Sequence, residues 1–344
     1  MMNQIELPNA VVLELNYECN HSCLFCSCPW ASKESQYKIG KSLTLEQWKQ
    51  AIDILIGNGI DFFSISGGEP LMNPDLIEIL NYIYHKKNSK GSGNTITLIS
   101  NGLLLNEKIL EEFKQLNINL SISIPGIKSF KKHTGIDNVA GVLKWLSIAH
   151  KLEIPTTANI TITKLNYNEI FETVSYAIIN GADTILLNRF LPGGRGLDNI
   201  NILSLSKQEL EFALDSAETA LSLSNRNGMV GTEMSLCSMP FIEKYPHISI
   251  GSQCAAVKLF FVIGPSGEIR VCNHSPRIVG NILEKEMIVD KSYWLDYQNS
   301  NFKPEECNKC NLKSKCDAGC REVAGIINGS HRHLDSTLGI NKVL

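Results

Sequence analysis

The sequence concentrates its thiols in two regions. The stretch CNHSCLFCSC, residues 19–28, contains four cysteines, and the other seven of the eleven lie between positions 237 and 320. Thiols of this kind can form disulfides, bind zinc, or bind the irons of an iron–sulfur cluster. Each of these uses makes a different demand on the rest of the chain.

Composition and charge narrow the choice. The 344 residues are 43% hydrophobic and carry a formal net charge of −3, so neither a nucleic-acid surface nor an anionic membrane is indicated. The N-terminus lacks the features of a secretory signal, and no apolar run is long enough to span a membrane. These features predict a cytoplasmic protein. Because the cytosol is reducing and the cysteine count is odd, metal binding is favoured over disulfides.

A regular alternation of strands and helices must position these cysteines. The predicted strands are residues 11–16, 61–66, 95–100, 119–124, 157–163 and 184–190. The predicted helices are residues 45–58, 75–87, 106–116, 139–152 and 168–180, the first of which begins at a Thr44–Gln47 capping box. Apolar strands that each precede a helix indicate parallel pairing. The expected fold class is therefore α/β, a partial (βα)6 TIM-like barrel, because six repeats are too few for a closed barrel.

Two of the predicted loops bring chemistry to the same end of this barrel. In parallel α/β folds, functional residues follow the carboxyl ends of the strands. The cysteine loop follows the first strand, and the sequence GGEP, residues 67–70, follows the second. The spacing of Cys19, Cys23 and Cys26 suits three corners of a [4Fe–4S] cube and leaves the fourth iron without a protein ligand. An open metal position is typical of a catalytic site.

The CX3CX2C motif, the aromatic Phe25 before its last cysteine, and GGEP together resemble the radical S-adenosylmethionine (SAM) enzymes. The resemblance covers residues from about 11 to 196. It implies that SAM binds the open iron and is cleaved reductively to a 5′-deoxyadenosyl radical, which abstracts a hydrogen atom from a substrate. It also implies an external electron donor, such as a flavodoxin or a ferredoxin.

The resemblance further implies roles for individual residues. Cys19, Cys23 and Cys26 bind the cluster. The implied SAM contacts are Phe25 with the adenine, the GGEP residues Gly67, Gly68 and Glu69 with the methionyl amino group, Ser123 with the carboxylate or ribose, and Asn159 and Asn188 through polar groups. For the two asparagines, a satisfied polar group at a strand end is an equally good interpretation. The family often has S-x-D-G where this chain has SIPG, so no role follows for the missing aspartate. Cys28 is either a small buried thiol or a catalytic thiol near the radical.

The C-terminal cysteines form two further motifs. Cys254 and Cys272 belong to a CX12GX4C pattern that predicts a β-hairpin with a PSGE turn at residues 265–268. The CX2CX5CX3C pattern comprises Cys307, Cys310, Cys316 and Cys320. Either motif alone could be a zinc ribbon. Behind a radical SAM barrel, the two together resemble the SPASM extension, a small C-terminal iron–sulfur domain that holds auxiliary [4Fe–4S] clusters.

This second resemblance implies two auxiliary clusters with an incomplete set of ligands. The first cluster is expected on Cys254, Cys272, Cys320 and Cys237. The second is expected on Cys307, Cys310 and Cys316, completed by His331, His333, an aspartate, water or substrate. Alternatively, Cys237 is a catalytic thiol that returns a hydrogen atom to a substrate radical. The expected domains are a radical SAM barrel at 1–198, a helical linker at 199–235 and a SPASM-like domain at 236–344.

Enzymes that resemble this architecture mostly modify peptides. The predicted function is therefore a peptide maturase that acts on a ribosomal peptide through a crosslink, a thioether or an epimerisation. Asn273 stands where sulfatase-maturing enzymes have an aspartate, which argues against that activity. Because only about ten residues precede the first strand, recognition of a peptide leader is expected to use a separate protein or a direct surface.

Two other functions are compatible with parts of the sequence. One is a radical SAM enzyme acting on a small molecule such as a tetrapyrrole or a sugar, since PGGRG, residues 192–196, resembles a turn of haem-related members. The other is an electron carrier without catalysis. An electron carrier does not explain why an iron without a protein ligand should lie beside GGEP.

Overall fold

The computed structural model of the protein describes residues 4–88, 90–239 and 242–338. Its strands are β1 Ala10–Glu14, β2 Phe62–Ser66, β3 Thr95–Ser100, β4 Ile118–Ser123, β5 Thr156–Ile162, β6 Thr184–Arg189, β7 Gly228–Val230, β8 Ile248–Ile250, β9 Phe260–Ile263, β10 Glu268–Arg270 and β11 Gly280–Asn281. The α-helices are α1 Leu45–Gly57, α2 Leu76–His85, α3 Glu107–Gln115, α4 Phe130–Thr134, α5 Val139–Lys151, α6 Ile170–Ile179, α7 Gly194–Asp198, α8 Ile200–Leu203, α9 Lys207–Ser224, α10 Lys291–Gln298 and α11 Arg321–Asn328. Short 3₁₀ helices cover Pro29–Ala31, Pro70–Met72, Tyr167–Glu169, Ile242–Lys244, Glu305–Lys309 and Ser336–Leu338.

The six strands predicted from the sequence correspond to β1 through β6. Each pairs in parallel with the next strand along the chain. Helices α1, α2, α3, α5 and α6 connect them, as the periodicity predicts. The predicted α/β partial barrel is confirmed. The short helix α4 was not predicted, because its five residues are too few to show a helical period.

The helices form where apolar residues recur on one face. In α1, Trp48, Ile52 and Leu55 lie four and three positions apart, and all three are fully buried against the sheet. The predicted capping box is present, since the Thr44 hydroxyl accepts from the Gln47 N–H and the Gln47 side chain accepts from the Thr44 N–H. The helices therefore cover the outside of the sheet and leave the strand ends open.

The sheet continues beyond the barrel at both edges. Its eleven strands are ordered β11–β10–β9–β1–β2–β3–β4–β5–β6–β7–β8. On one edge, β7 and β8 extend the sheet past β6 in parallel. On the other edge, β9 pairs in parallel with β1, with Val12 opposite Val262. The sheet therefore crosses both predicted domain boundaries, at 198 and at 235, which stay predictions.

The C-terminal hairpin is fixed to the end of β1. Strands β9 and β10 are antiparallel, and their PSGE turn has Gly267 at a φ of 83° with the Gly264 N–H donating to the Glu268 carbonyl at 2.8 Å. The predicted hairpin is thus confirmed. Arg270, at the end of β10, forms a buried ion pair with Glu14, at the end of β1. Within the described residues, no helix is long and apolar enough to cross a membrane.

Candidate active site

A cavity of about 420 Å³ lies at the carboxyl ends of the parallel strands. The predicted site residues that line it are Cys19, Cys23, Phe25, Cys26, Cys28, Gly67, Gly68, Glu69, Ser123, Asn159, Asn188, Cys254, Cys272 and Cys320. A second, smaller cavity of about 30 Å³ is lined by Cys237, Cys307, Cys310 and Cys316. The structure therefore sorts all eleven cysteines into a loop and two C-terminal groups.

The cysteine loop, residues 19–28, is held by backbone contacts to the unpredicted helix α4. The N–H groups of Ser22 and Leu24 donate to the carbonyls of Thr134 and His133, at 3.0 and 2.8 Å. The His133 ring stands edge-on to Phe25, with ring centroids 5.6 Å apart. These contacts fix the loop without using a thiol, so its cysteines remain available to a metal.

The glycine pair of GGEP lies directly against the start of this loop. Gly67 has a φ of 140°, and the Gly68 N–H donates to the Asn16 carbonyl at 2.8 Å. A Cβ on Gly68 would come within 1.9 Å of the Glu18 carbonyl oxygen. Two adjacent glycines are therefore required for the backbones of β2 and the loop to meet at the cavity.

Glu69 is a buried support at the floor of the cavity. Its carboxylate accepts from the Ser100 hydroxyl at 2.8 Å, the Asn101 N–H at 2.8 Å and the Leu71 N–H at 3.2 Å. Burial raises the pKa of Glu69, and these hydrogen bonds offset part of that effect. The contacts tie the ends of β2 and β3 together. A direct contact between Glu69 and SAM stays a prediction.

The polar residues of β4, β5 and β6 form one wall of the cavity. Ser123 lies opposite Asn159 in the sheet, and the Asn188 amide donates to the Asn159 side-chain oxygen at 2.9 Å. A Cβ on Gly231, just after β7, would be 2.6 Å from the Asn188 oxygen. The two asparagines are therefore oriented towards each other, and their contacts with SAM stay a prediction.

The PGGRG stretch, residues 192–196, packs against the backbone of the cysteine loop. The Gly196 N–H donates to the Cys26 carbonyl at 3.0 Å, and a Cβ on Gly194, whose φ is 47°, would be 2.2 Å from the Cys28 carbonyl. Cys28 itself lies beside GGEP, with its Sγ 3.7 Å from the Gly67 carbonyl. The His274 ring bonds to the Pro192 carbonyl at 2.9 Å. The glycines thus serve close packing between the loop and the C-terminal region.

The first C-terminal group, Cys254, Cys272 and Cys320, faces the large cavity. Burial raises the pKa of the Cys254 thiol, and the nearby Glu233 carboxylate and the other two thiols add to the effect. Burial also raises the pKa of Cys320 to about 12. Because the protein alone disfavours these thiolates, the positive charge of a metal centre would be needed to ionise them.

The second C-terminal group contains Cys237, Cys307, Cys310 and Cys316 around the small cavity. Burial raises the pKa of Cys307 to about 11, with contributions from Cys316 and Cys237. Cys237 lies beside this second group and not beside the first, and its role as a ligand stays a prediction. The chain turns after β7 and carries Cys237 towards the CX2CX5C segment, which a sequence separation of some seventy residues did not reveal.

Several cavity residues have no counterpart in the sequence motifs. They are Glu14, Arg189, Thr232, Glu233, His274, Arg321 and Glu322. Glu233 follows β7, and the β7 segment was assigned to a helical linker, so no strand end was expected there. Glu322 lies in the first turn of α11 and accepts from the hydroxyls of Tyr293 and Tyr297, at 2.5 and 2.6 Å. Only the adjacency of Glu322 to the Cys320 motif could have pointed to it.

The donor sets suit clusters better than single ions. Among the described residues, no three or more His, Cys, Asp or Glu side chains converge closely enough to hold one metal ion. A [4Fe–4S] cube spreads its thiolate ligands over separate irons. The cysteines of each set line different parts of a cavity wall, and this arrangement fits ligands that bind separate irons of one cube.

The fold and this site define a partial α/β barrel with a cysteine loop at its mouth. Residues 13–177 match the sequence profile of the Radical SAM superfamily. The predicted resemblance to radical SAM enzymes is therefore confirmed over these residues.

The chain is similar over nearly its whole length to curated proteins of this type. It is 24% identical to the AdoMet-dependent heme synthase of Methanosarcina barkeri, covering 96% of each chain. It is also 24% identical to the PqqA peptide cyclase of Bradyrhizobium diazoefficiens, covering 97% of this chain and 87% of the relative. In structure it matches Streptococcus suis SuiB bound to the precursor peptide SuiA, with a TM-score of 0.72, 19% identity, and coverage of 98% of this chain and 77% of SuiB.

Proposed function

We propose that this protein is a radical SAM peptide maturase that abstracts a hydrogen atom from a ribosomal peptide. The observation that carries the proposal is the single cavity shared by the cysteine loop and by Cys254, Cys272 and Cys320. A substrate in this cavity would lie between a radical source and a second metal centre. The similarities to a PqqA peptide cyclase and to a peptide-bound SuiB support a peptide as that substrate.

The cysteine loop would hold the SAM-binding cluster through Cys19, Cys23 and Cys26. With the cluster and SAM bound, reductive cleavage of the sulfonium supplies the 5′-deoxyadenosyl radical. The backbone of Gly67 and Gly68, which packs against the start of the cysteine loop, would receive the methionyl amino group at the strand end. The polar wall of Ser123, Asn159 and Asn188 would orient the rest of SAM through hydrogen bonds.

The C-terminal groups would hold two auxiliary [4Fe–4S] clusters. Cysteines gathered around two cavities, together with the match to CX12GX4C and CX2CX5CX3C, support this count. Auxiliary clusters suit a reaction in which a substrate radical must give up an electron. An external flavodoxin or ferredoxin would supply the electron for SAM cleavage. The peptide leader would be recognised by a separate protein or directly by a surface of this one. We also infer a cytoplasmic location, because a reducing compartment keeps cysteines available to metal centres.

The proposal is tested with anaerobically reconstituted protein, SAM, a strong reductant and candidate peptides encoded near the gene. We expect 5′-deoxyadenosine, methionine, and a peptide lighter by about two hydrogens for an oxidative crosslink. Epimerisation would leave the mass unchanged in water and add one deuteron in heavy water. SAM cleavage that no peptide accelerates, with every peptide unmodified, would contradict peptide maturation.

A tetrapyrrole substrate is the second candidate function. It is favoured by the similarity to a heme synthase over 96% of both chains. The two candidates separate in one experiment, in which a porphyrin carrying propionate side chains competes with the peptides. Loss of carboxyl carbon from the porphyrin, seen by mass spectrometry, would select this second function.

A further inference from the structure

The turn after β7 brings a fourth cysteine to the second C-terminal group. We propose that Cys237 completes a four-thiolate [4Fe–4S] site with Cys307, Cys310 and Cys316. The iron without a cysteine ligand then belongs to the first group, where it faces the large cavity. Compared with the ligand sets expected from the cysteine motifs, Cys237 moves from the first cluster to the second.

Direct contacts place the Cys237 segment against the second group. The Leu236 N–H donates to the Cys316 Sγ at 3.4 Å, and the Ala318 N–H donates to the same sulfur at 3.3 Å. Backbone N–H groups aimed at a cysteine sulfur stabilise the thiolate that ligates a cluster. Leu236 is the residue immediately before Cys237. Its hydrogen bond therefore joins the turn that carries Cys237 to the CX2CX5C segment.

Cys237 is presented by a turn built from buried hydroxyls. The Ser235 and Ser238 side chains lie 2.9 Å apart, and the Ser238 hydroxyl also donates to the Ser235 carbonyl at 2.6 Å. The Ser238 N–H closes the turn on the same carbonyl at 2.9 Å. Both serines are buried. The turn is therefore held by its own hydrogen bonds, as a ligand-bearing segment requires.

The other expected ligands are engaged elsewhere. His331 packs edge-on against Tyr293, with ring centroids 5.1 Å apart, and the His333 ring bonds to the Asn328 carbonyl at 2.8 Å. Asp335 borders the small cavity, but its carboxylate accepts from Arg189 and from the Cys320 N–H at 2.9 Å. Of the candidates for the fourth ligand of the second group, Cys237 is therefore favoured over these three side chains.

The reassignment has a consequence for the large cavity. The first group retains Cys254, Cys272 and Cys320, which supply three of four irons. Its fourth iron would face the cavity that the cysteine loop also lines. An external donor such as a thiolate or carboxylate could bind there, whereas the second cluster, with four thiolates, would be closed to such donors.

The test counts iron in full-length variants that lack Cys19, Cys23 and Cys26, so that only auxiliary clusters remain. Two further backgrounds each remove one C-terminal group. In the background where Cys254, Cys272 and Cys320 are also Ala, about four irons per chain should remain. Cys237→Ala should lower this iron content, or convert the remaining cluster to a [3Fe–4S] cluster that EPR detects. Where Cys307, Cys310 and Cys316 are Ala instead, Cys237→Ala should leave about four irons unchanged. The opposite pattern overturns the proposal.

A second measurement uses the otherwise intact protein, so that the proposal stays testable if these multiple variants fail to fold. Cysteine or imidazole added to the protein lacking only Cys19, Cys23 and Cys26 should alter the EPR spectrum of one reduced cluster. That cluster should be the one whose signal Cys254→Ala changes, whereas Cys237→Ser should change the signal of the other cluster. Cys28→Ala is the matched control and should leave the iron count unchanged. An added ligand that instead alters the cluster whose signal Cys310→Ala changes overturns the proposal.

This inference rests on the iron–sulfur assignment in the proposed function, and the two fail differently. Protein that binds no iron after reconstitution contradicts the proposed function. Protein that binds iron in both C-terminal groups, with no effect of Cys237→Ala on the second group, contradicts only the ligand assignment.

Discussion

The cysteine loop and the C-terminal cysteines hold their thiols in different ways. Cys19, Cys23 and Cys26 lie on one continuous loop, which backbone hydrogen bonds to α4 and to the PGGRG stretch fix in place. The C-terminal cysteines come from separate segments: the turn after β7, both sides of the β9–β10 hairpin, the Glu305–Lys309 helix and its following turns, and the start of α11. The first site is local, whereas the second is made by tertiary structure.

This difference indicates what each region is sensitive to. A local loop depends on the backbone that touches it, above all on the strand ends of β1 and β2. A site gathered from distant segments depends on the joints between the C-terminal region and the barrel. The buried Glu14–Arg270 pair is one such joint, because it links β1 to β10. Four experiments sharpen or break the comparison.

The largest effect is expected from changing Cys19, Cys23 and Cys26 together to Ala. SAM cleavage should fall to background, because the cluster that binds SAM is lost. Iron should fall only from about twelve to about eight per chain, because no C-terminal group shares a ligand with the loop. Measured 5′-deoxyadenosine and iron content check both parts. Retained SAM cleavage would remove the loop from the active site.

The joint between the two regions is tested with Arg270→Met. Breaking this buried pair leaves Glu14 as an unpaired buried carboxylate, so the free energy of unfolding should fall by about 3–5 kcal/mol. Chemical denaturation under anaerobic conditions measures it. The double variant Glu14→Met with Arg270→Met should regain much of the loss.

The matched control for this joint is Arg332→Met, which removes an exposed ion pair with Asp296. It should cost less than about 1 kcal/mol. If Arg270→Met and Arg332→Met lower the free energy of unfolding equally, the buried Glu14–Arg270 pair does not contribute more to stability than an exposed ion pair.

The backbone support of the loop is tested with Gly68→Ala. The new Cβ would meet the Glu18 carbonyl at 1.9 Å, which must push β2 and the loop apart. SAM cleavage should fall at least about tenfold, equivalent to about 1.4 kcal/mol, while C-terminal iron is retained. Gly57→Ala, at a glycine with open space around it, is the control and should have no such effect. Equal activity of the two variants would argue against a tight contact.

The smallest effect concerns pH and His133, which supports the loop through α4. Burial lowers the pKa of His133 to about 4, from an ordinary value of 6.5. The unfolded chain therefore binds a proton between these values that the folded chain does not, so stability falls as pH drops from 6.5 towards 4. His133→Gln should reduce this pH dependence by roughly one proton. The control is the exposed His85→Gln, and denaturation curves at several pH values compare the two.

The barrel could be predicted from the sequence because its signals are local. The strands β1 to β6 and five helices lie within about two residues of the predicted ranges, since apolar runs and a capping box mark them. The pairing of β9 with β1 could not be predicted in the same way. Residues such as Val12 and Val262 are neighbours only in the folded sheet, and no local pattern encodes that partner.

In the candidate site, too, the features with local sequence signals could be predicted and those made by tertiary contacts could not. The positions of the cysteine loop and of GGEP after the first two strands predict that Cys19 and Gly67 face one cavity, as the structure shows. Ser123 was predicted only through the family resemblance. The grouping of Cys237 was missed, because spacing within a motif says nothing about which distant segment completes it. Glu233 was missed for a related reason, since the short strand β7 has only three residues and shows no alternating pattern.

The pairing of β1 with β9 also sets an order of events during synthesis. Strand β1 emerges from the ribosome early, but one of its two neighbours lies some 250 residues later in the chain. Until β9 arrives, β1 presents an open edge of unpaired backbone groups, the kind of edge that aggregates. The nascent barrel therefore cannot close its sheet on its own, and a fragment ending before β9 should express poorly. Completion of the radical SAM barrel awaits the segment that also carries the last cysteines.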